Sequence, residues 1–177
     1  MKTIVKVPQG ISASINDYVI TVKGPKGSTS KILKSPLGTV DVKGDEVIIE
    51  SPIKSRRGKA IVNTFKSHVN NLIDGVTNGY EARLKICYSH FPITVKVNGK
   101  NISIENLGGE KTPRLTNICG DAKISVEGAE VVVTGINKEE VGQTAASIEK
   151  TSKIKHKDSR LFQDGIWITK KPGKDGL

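Results

Sequence analysis

Two stretches of this chain read alike: VKGDEVIIES from Val42 to Ser51 and VEGAEVVVTG from Val126 to Gly135, an offset of 84 residues. The same shift, without a gap, lays Pro8 on Pro92, Ile20 on Ile104, Gly24 on Gly108, Gly44 on Gly128, Glu46 on Glu130, Val47 on Val131 and Gly58 on Gly142. A repeat approaching half of the 177 residues predicts a tandem duplication, and with it two small units of one architecture.

Each half runs through the same order of periodicities. In the first, YVITVKG and STSKILK alternate as strands around the turn Gly24-Pro25-Lys26-Gly27, and VDVKGDEVIIE reads as a hairpin turning near Gly44-Asp45. A helical stripe follows, with Ile61, Val62, Phe65, Val69, Leu72, Ile73 and Val76 at spacings of three and four. The second half repeats the pattern: NISIENLGG, a strand near Arg114 to Ile118, AKISVEGAEVVVTG, then a helix from about Lys138 to Thr151. Asn137 followed by Glu140 resembles a capping box with Asn in place of Ser or Thr.

Strands closed by one helix, twice over, predict an α+β fold: two tandem duplicated small domains, each an antiparallel sheet covered on one face by a helix. The boundary is expected in the loop Thr77 to Tyr80, with domains at 1–78 and 79–177.

Charge is unevenly spread. The chain carries 28 Lys+Arg against 18 Asp+Glu, net +10, which favours a polyanionic partner such as nucleic acid or an anionic membrane surface. Residues 89–149 are net negative, whereas the stretch from Lys150 to Lys174 holds 8 basic and 2 acidic side chains. A basic run reads either as a solvated face or as a phosphate-binding surface. The first copy's helix opens with Arg56 and Arg57, where the second has Glu140 and Val141. Cations there oppose the macrodipole, so the pair reads either as two exposed arginines or as helpers of the free N–H groups in holding a phosphate.

Catalytic readings find little support. His68, His90 and His156 are scattered, and no HExxH, GxSxG or GxxxxGK[ST] motif is present. Cys87 and His90 stand three apart in a predicted strand, on opposite faces. Cys87 and Cys119 form no CxxC and read as buried thiols in a reducing compartment. His156, Asp158 and Asp164 could approach a metal only among repelling lysines. The N-terminal MKTIVKVPQG lacks the unbroken apolar core of a signal peptide, and no stretch approaches the ~18 apolar residues of a membrane span. A soluble, intracellular protein without cofactor, metal or membrane partner is expected. Binding remains: Lys and Arg for phosphates, with Trp167 or His156 for an unpaired base. Trp167 reads equally as core, since WIT alternates like a strand.

Four segments together carry a resemblance: VKGPKG at Val22 to Gly27, GVTNGYEARLKICYSHFPI at Gly75 to Ile93, VGQTAASIE at Val141 to Glu149, and KHKDSRLFQDGIWI at Lys155 to Ile168. Across essentially the whole chain they resemble the large-subunit ribosomal protein six family, called protein nine in eukaryotes, in its archaeal and eukaryotic branch. The bacterial Pro-Glu-Pro-Tyr run before Lys-Gly is missing.

The resemblance implies a non-enzymatic structural constituent of the cytoplasmic large ribosomal subunit. It implies binding to large-subunit rRNA near the sarcin-ricin loop and the base of the acidic-protein stalk, beside neighbouring ribosomal proteins and translation factors. Carried onto this chain, the RNA-binding segment is Lys153, Lys155, His156, Lys157 and Arg160, with Phe162, Asp164 and Gly165 shaping a bend, Trp167 in an aromatic role and Lys170 and Lys171 following. On their own residue chemistry Gly165, whose backbone N–H can approach a sugar-phosphate, and Arg56 and Arg57 in the first domain join them as RNA-binding positions. Trp167 stands where the family usually has tyrosine or phenylalanine. Rival readings are a hydrolase built on His156 and Asp158, and an adaptor whose basic faces bind acidic proteins.

Overall fold

The computed structural model describes residues 1–44, 46–154, 158 and 160–173. They fall into two compact units, Met1–Gly79 and Tyr80–Leu177.

The first unit consists of β1 (Lys2–Lys6), β2 (Ser12–Asn16), β3 (Val19–Gly24), β4 (Gly27–Ile32), β5 (Thr39–Lys43), β6 (Glu46–Glu50) and α1 (Arg56–Thr77). Its strands divide into two antiparallel sheets, β1-β6-β5 and β2-β3-β4. The single sheet expected for each copy is therefore two, and α1 packs against strands of both. The stripe Val62, Phe65, Val69, Leu72, Ile73 and Val76 is buried, with Ile61 half-buried. Each such side chain contributes roughly 1.5–3 kcal/mol on burial.

Local chemistry sets both ends of α1. The Ser55 hydroxyl accepts the Gly58 N–H at its start. At its end the Asn78 and Gly79 N–H groups return to Asp74 O and Gly75 O, with Gly79 at φ 74°, the left-handed residue that closes many helices. The GPKG turn also serves this end: Lys26 N–H donates to Val76 O at 3.1 Å, and Lys26 Nζ donates to Asn78 O. A Cβ on Gly24 would stand 2.7 Å from Val76 Cγ2, so this glycine is a close-packing residue and no phosphate loop.

The second unit repeats the plan with β7 (Tyr80–Cys87), β8 (Thr94–Asn98), β9 (Asn101–Glu105), a 3-10 turn at Leu107–Gly109, β10 (Arg114–Asn117), β11 (Lys123–Glu127), β12 (Glu130–Gly135) and α2 (Lys138–Ser152). The strand expected over Asn101–Gly109 thus stops at Glu105, where Asn106 turns left-handed at φ 59°. An addition follows α2: β13 (Gly165–Lys170) lies antiparallel to β7, giving sheet β11-β12-β7-β13 beside β10-β9-β8. One core joins both sheets and the helix, with Leu84, Ile102, Ile104, Ile148 and Ile166 each no more than 1% exposed.

The copies keep more than one register. Strands β5 and β11, with the hairpins that follow, match at 84 residues, and both turns begin on a left-handed glycine, Gly44 at φ 58° and Gly128 at φ 60°. The β2–β3 hairpin turns at Asp17-Tyr18, and β8–β9 turns at Gly99-Lys100, 82 residues later. Helix burial matches at 83: Gly58, Val62, Phe65 and Val69 in α1 become Val141, Ala145, Ile148 and Ser152 in α2. The ungapped shift therefore holds only in part. Gly58 and Gly142, identical at 84, occupy different faces of their helices.

The α2 cap also departs from the expected box. Asn137 Oδ1 accepts the Glu139 N–H at 3.0 Å, while Glu140 accepts from the Asn137 amide and, at 3.0 Å, from the Asp121 N–H. Glu140 thus braces the β10–β11 connection instead of returning to the Asn137 backbone. Cys87 and Cys119, expected to be buried, are half-buried. Among the described residues no helix is long and apolar enough to cross a membrane.

Candidate nucleic-acid interface

The basic segment begins where α2 stops. Ser152 is 1% exposed, and its Oγ accepts the Ile166 N–H at 3.0 Å while its single proton can go to Glu149 O at 3.0 Å or Ile166 O at 3.3 Å. A hydroxyl can do both at once because it has one proton and two lone pairs. Two residues on, the Ile168 N–H donates to Glu149 Oε1 at 3.2 Å. The outer edge of β13 is therefore closed by α2 side chains, and its inner edge by β7. Ile166 is buried, and Ile168 packs partly against the core.

Arg114 of β10 holds the root of the segment. Its Nη1 donates to Thr151 O and to Lys153 O, each at 2.8 Å, and its guanidinium forks onto the Glu110 carboxylate at 2.8 and 2.5 Å. Its hydrogen bond to Glu110 raises the Arg114 pKa above the usual arginine value, against the opposing cost of partial burial. A guanidinium at the last carbonyls of a helix satisfies acceptors that lack an intrahelical donor. It also directs the backbone at Lys153 outward, and Lys153 is exposed.

Beyond Lys153, the predicted contacts Lys155, His156 and Lys157 lie outside the described residues. The chain is described again at a tight turn: Leu161 and Phe162 N–H donate to Asp158 O, and Arg160 N–H donates to Asp158 Oδ1 at 2.9 Å. The Arg160 side chain, 88% exposed, returns to the same carboxylate. Those hydrogen bonds, first from the guanidinium and then from the Arg160 backbone, hold the Asp158 carboxyl below its ordinary range.

The bend into β13 is fastened at both sides. Asp164 Oδ1 accepts the Ser89 N–H at 2.9 Å, and Trp167 Nε1 donates to Gln163 O at 3.0 Å. Gly165, expected to bring its backbone close to a sugar-phosphate, is buried at φ 155°, where a Cβ would meet Ser152 O at 3.4 Å. It shapes the bend. Trp167 is half-buried, so its ring is neither core nor fully offered. Lys170 is half-buried beyond a register shift in β13, and Lys171 is exposed.

In the first unit Arg56 and Arg57 are exposed on the opening turn of α1, flanked by exposed Lys54 and Lys59 and with no acidic residue in that turn. No group of three His, Cys, Asp or Glu side chains gathers among the described residues.

The sequence matches the family described as Ribosomal protein L6 twice, over residues 7–79 and 91–165. A large ribosomal subunit protein uL6 from Methanosarcina mazei is 47% identical over 167 residues, 94% of this chain and 95% of its own. The chain belongs to the ribosomal protein L6 family. The uL6 proteins of Natronomonas pharaonis, at 43% over 98% of both chains, and Methanobrevibacter smithii, at 43% over 94% of both, are similar to it throughout. The L6 family is one of structural ribosomal proteins, not enzymes.

The two L6 matches fall one on each unit, and the second runs to Gly165, through the turn and bend. Within this L6 chain, sequence reasoning missed Ser152, Glu149, Arg114 and Ser89, the residues that aim the basic segment. Ser152 alone left a trace: at helical spacing it falls on the apolar stripe with Val141, Ala145 and Ile148. A polar residue on a buried stripe needs a partner.

Proposed function

We propose that the chain is a structural, rRNA-binding constituent of the cytoplasmic large ribosomal subunit, and that its second unit binds large-subunit rRNA beside the sarcin-ricin loop at the stalk base. The observation that carries this reading is a basic segment, Lys153 to Lys171, clamped at both ends of its loop in a member of the L6 family. Arg114 and Ser152 hold its root and Asp164 holds its return, so that less ordering entropy remains to be lost on binding.

In this reading Lys153, Lys155, Lys157, Arg160, Lys170 and Lys171 neutralise phosphates, and His156 and the exposed part of Trp167 meet the sugar-base side. Arg160 exchanges Asp158 for a phosphate at little cost, since an exposed ion pair is a weak contact. Arg56 and Arg57, with the α1 N–H groups, form a second and smaller phosphate contact. Neighbouring ribosomal proteins at the stalk base and docking translation factors are the remaining partners.

The test is binding of the full chain to large-subunit rRNA across a salt series. Each phosphate-contacting cation is expected to contribute between about 0.7 and 0.9 to the slope of log K against log salt. Lys153→Ala and Arg160→Ala are each expected to lower that slope, and to do so more than Arg56→Ala or Arg57→Ala. Wild-type slopes in the first pair would remove the segment from the interface. Failure of the intact chain to sediment with large subunits would remove the function.

A further inference from the structure

Four large apolar side chains stand exposed on two neighbouring loops of the second unit: Tyr88 at 52%, Phe91 at 48%, Leu161 at 78% and Phe162 at 45%. Leu161 and Phe162 lie between the cations of the basic segment, whereas Tyr88 and Phe91 come from a different part of the chain.

The two loops are joined. Cys87 pairs with Gly165 in the sheet, which makes Tyr88 and Asp164 the next rung, and the Ser89 N–H donates to Asp164 Oδ1 at 2.9 Å. The aromatic loop is held from below as well. Asn106 Nδ2 donates to Pro92 O at 3.1 Å, and the Phe91 ring lies on Gly109, where a Cβ would come within 3.3 Å of it. Gly109 is left-handed at φ 82°, so the floor beneath the ring is one that only glycine forms without strain. Rings presented on a braced loop lose little freedom when a ligand covers them.

The charge around the rings indicates the ligand. Asp158 and Asp164 are both engaged within the loops, by Arg160 and by the Ser89 N–H, and Glu110 is engaged by Arg114. Lys85, Lys111 and Lys153 are exposed on the segments that carry or adjoin the two loops. Half-exposed rings in a cationic surround suit a strand whose phosphates meet the cations while its unpaired bases meet the rings.

We propose that Tyr88 and Phe91, on the loop tied by Ser89 to Asp164, form a base-stacking platform for unpaired nucleotides of RNA, with Phe162 at its margin. This rests on the rRNA-binding reading above and adds residues, and a mode of contact, that the basic segment does not supply. The platform recognises base faces, whereas the segment recognises phosphates.

The distinction is measurable because stacking releases no counterions. In titrations of the full-length protein with large-subunit rRNA, Tyr88→Leu and Phe91→Leu are each expected to weaken binding about tenfold, within what stacking on one ring contributes, with an unchanged salt slope. Leucine keeps an apolar side chain on the loop, and hydrogen exchange across β7 checks that the unit remains folded. Wild-type affinity in the double leucine variant, with Lys153→Ala and Arg160→Ala still weakening binding, would overturn the platform and leave the rRNA-binding reading standing; it is also the result expected of a protein-docking patch. Loss of slope together with affinity would overturn it too, since the rings would then only be positioning cations. If no variant and no wild-type chain binds the RNA, both readings fail. As a direct readout, Phe91→Trp is expected to lose indole emission on binding beyond any change from Trp167 in the wild type; an unchanged excess emission would overturn stacking.

Discussion

Strands β1 and β7 hold the same place in their sheets, beside β6 and β12, yet their outer edges end differently. On β7 lies β13, itself closed by Ser152 and Glu149. Sheet β1-β6-β5 ends at β1, whose exposed Lys2 and Lys6 are the kind of residue that discourages strand addition. One ancestral plan was thus finished in two ways. The first copy's helix closes at Gly79, while the second copy returns from its helix to complete a fourth strand. A segment that looks from its charge like an appended binding tail is also part of the second unit's core, through Ile166.

The largest expected effect follows from this double role. Deleting residues 153–177 removes β13, and loss of Ile166 alone is expected to cost roughly 2–5 kcal/mol. Hydrogen exchange should then accelerate in β7 and leave β1 unchanged; equal acceleration in both would contradict two separate cores. Such a deletion is for the same reason a poor test of RNA contact, and charge-removing substitutions are the better one.

Next in size is a comparison of two glycines that a single offset would make equivalent. A Cβ on Gly58 would stand 2.2 Å from Ile53 O, whereas one on Gly142 would meet only Pro172 Cγ at 3.6 Å. Gly58→Ala is expected to destabilise the first unit by about 3 kcal/mol, at the upper end of overpacking costs. Gly142→Ala is expected to stabilise the second by up to about 1 kcal/mol through helix propensity. Calorimetric melts of both variants check this, and shifts of the same sign would undo the 83-residue register of the helices.

Ser152 stands where Val69 stands in the first helix. Ser152→Ala leaves the Ile166 N–H without its buried acceptor and is expected to cost about 2 kcal/mol, read as a lowered urea midpoint with faster exchange in β13. No loss would mean that β7 alone holds β13.

The smallest effect concerns acid. The hydrogen bond from Arg83 holds Glu81 below its ordinary pKa of 4.5, and Lys2 does the same for Glu50 in the first unit. A depressed folded pKa gives stability that is present above the unfolded value and lost as pH falls through the folded one. Both units are therefore expected to weaken slightly only below about pH 4.5, and Glu81→Gln and Glu50→Gln should flatten that slope in their own unit.

Strong local periodicity was legible: the α1 stripe, the α2 span to within a residue or so, and the glycine-led hairpins at Gly44 and Gly128. Three strands carried weaker or unassigned signals. In β1 the apolar pair Ile4-Val5 breaks alternation, and β2 has only Ala13 and Ile15 to show a face. In β8, Val95 and Val97 alternate ahead of the Gly99-Lys100 turn and were the available cue. The site was legible as charge and not as geometry. Nothing in the spacing of Arg114, 39 residues before Lys153, foretells its bonds to Thr151 O and Lys153 O.

By itself the sequence determined the duplication, the two helices with their buried faces, and the turns that demand glycine, because each rests on interactions within a few residues along the chain. Tertiary structure decided where the C-terminal segment goes and which residues aim it. Choosing β7 as the partner of β13, seating Ser152 against Ile166 and tying Ser89 to Asp164 join residues 14 to 87 positions apart. Partners so distant are selected by the shape and unmet hydrogen bonds of the folded core, which no local pattern encodes.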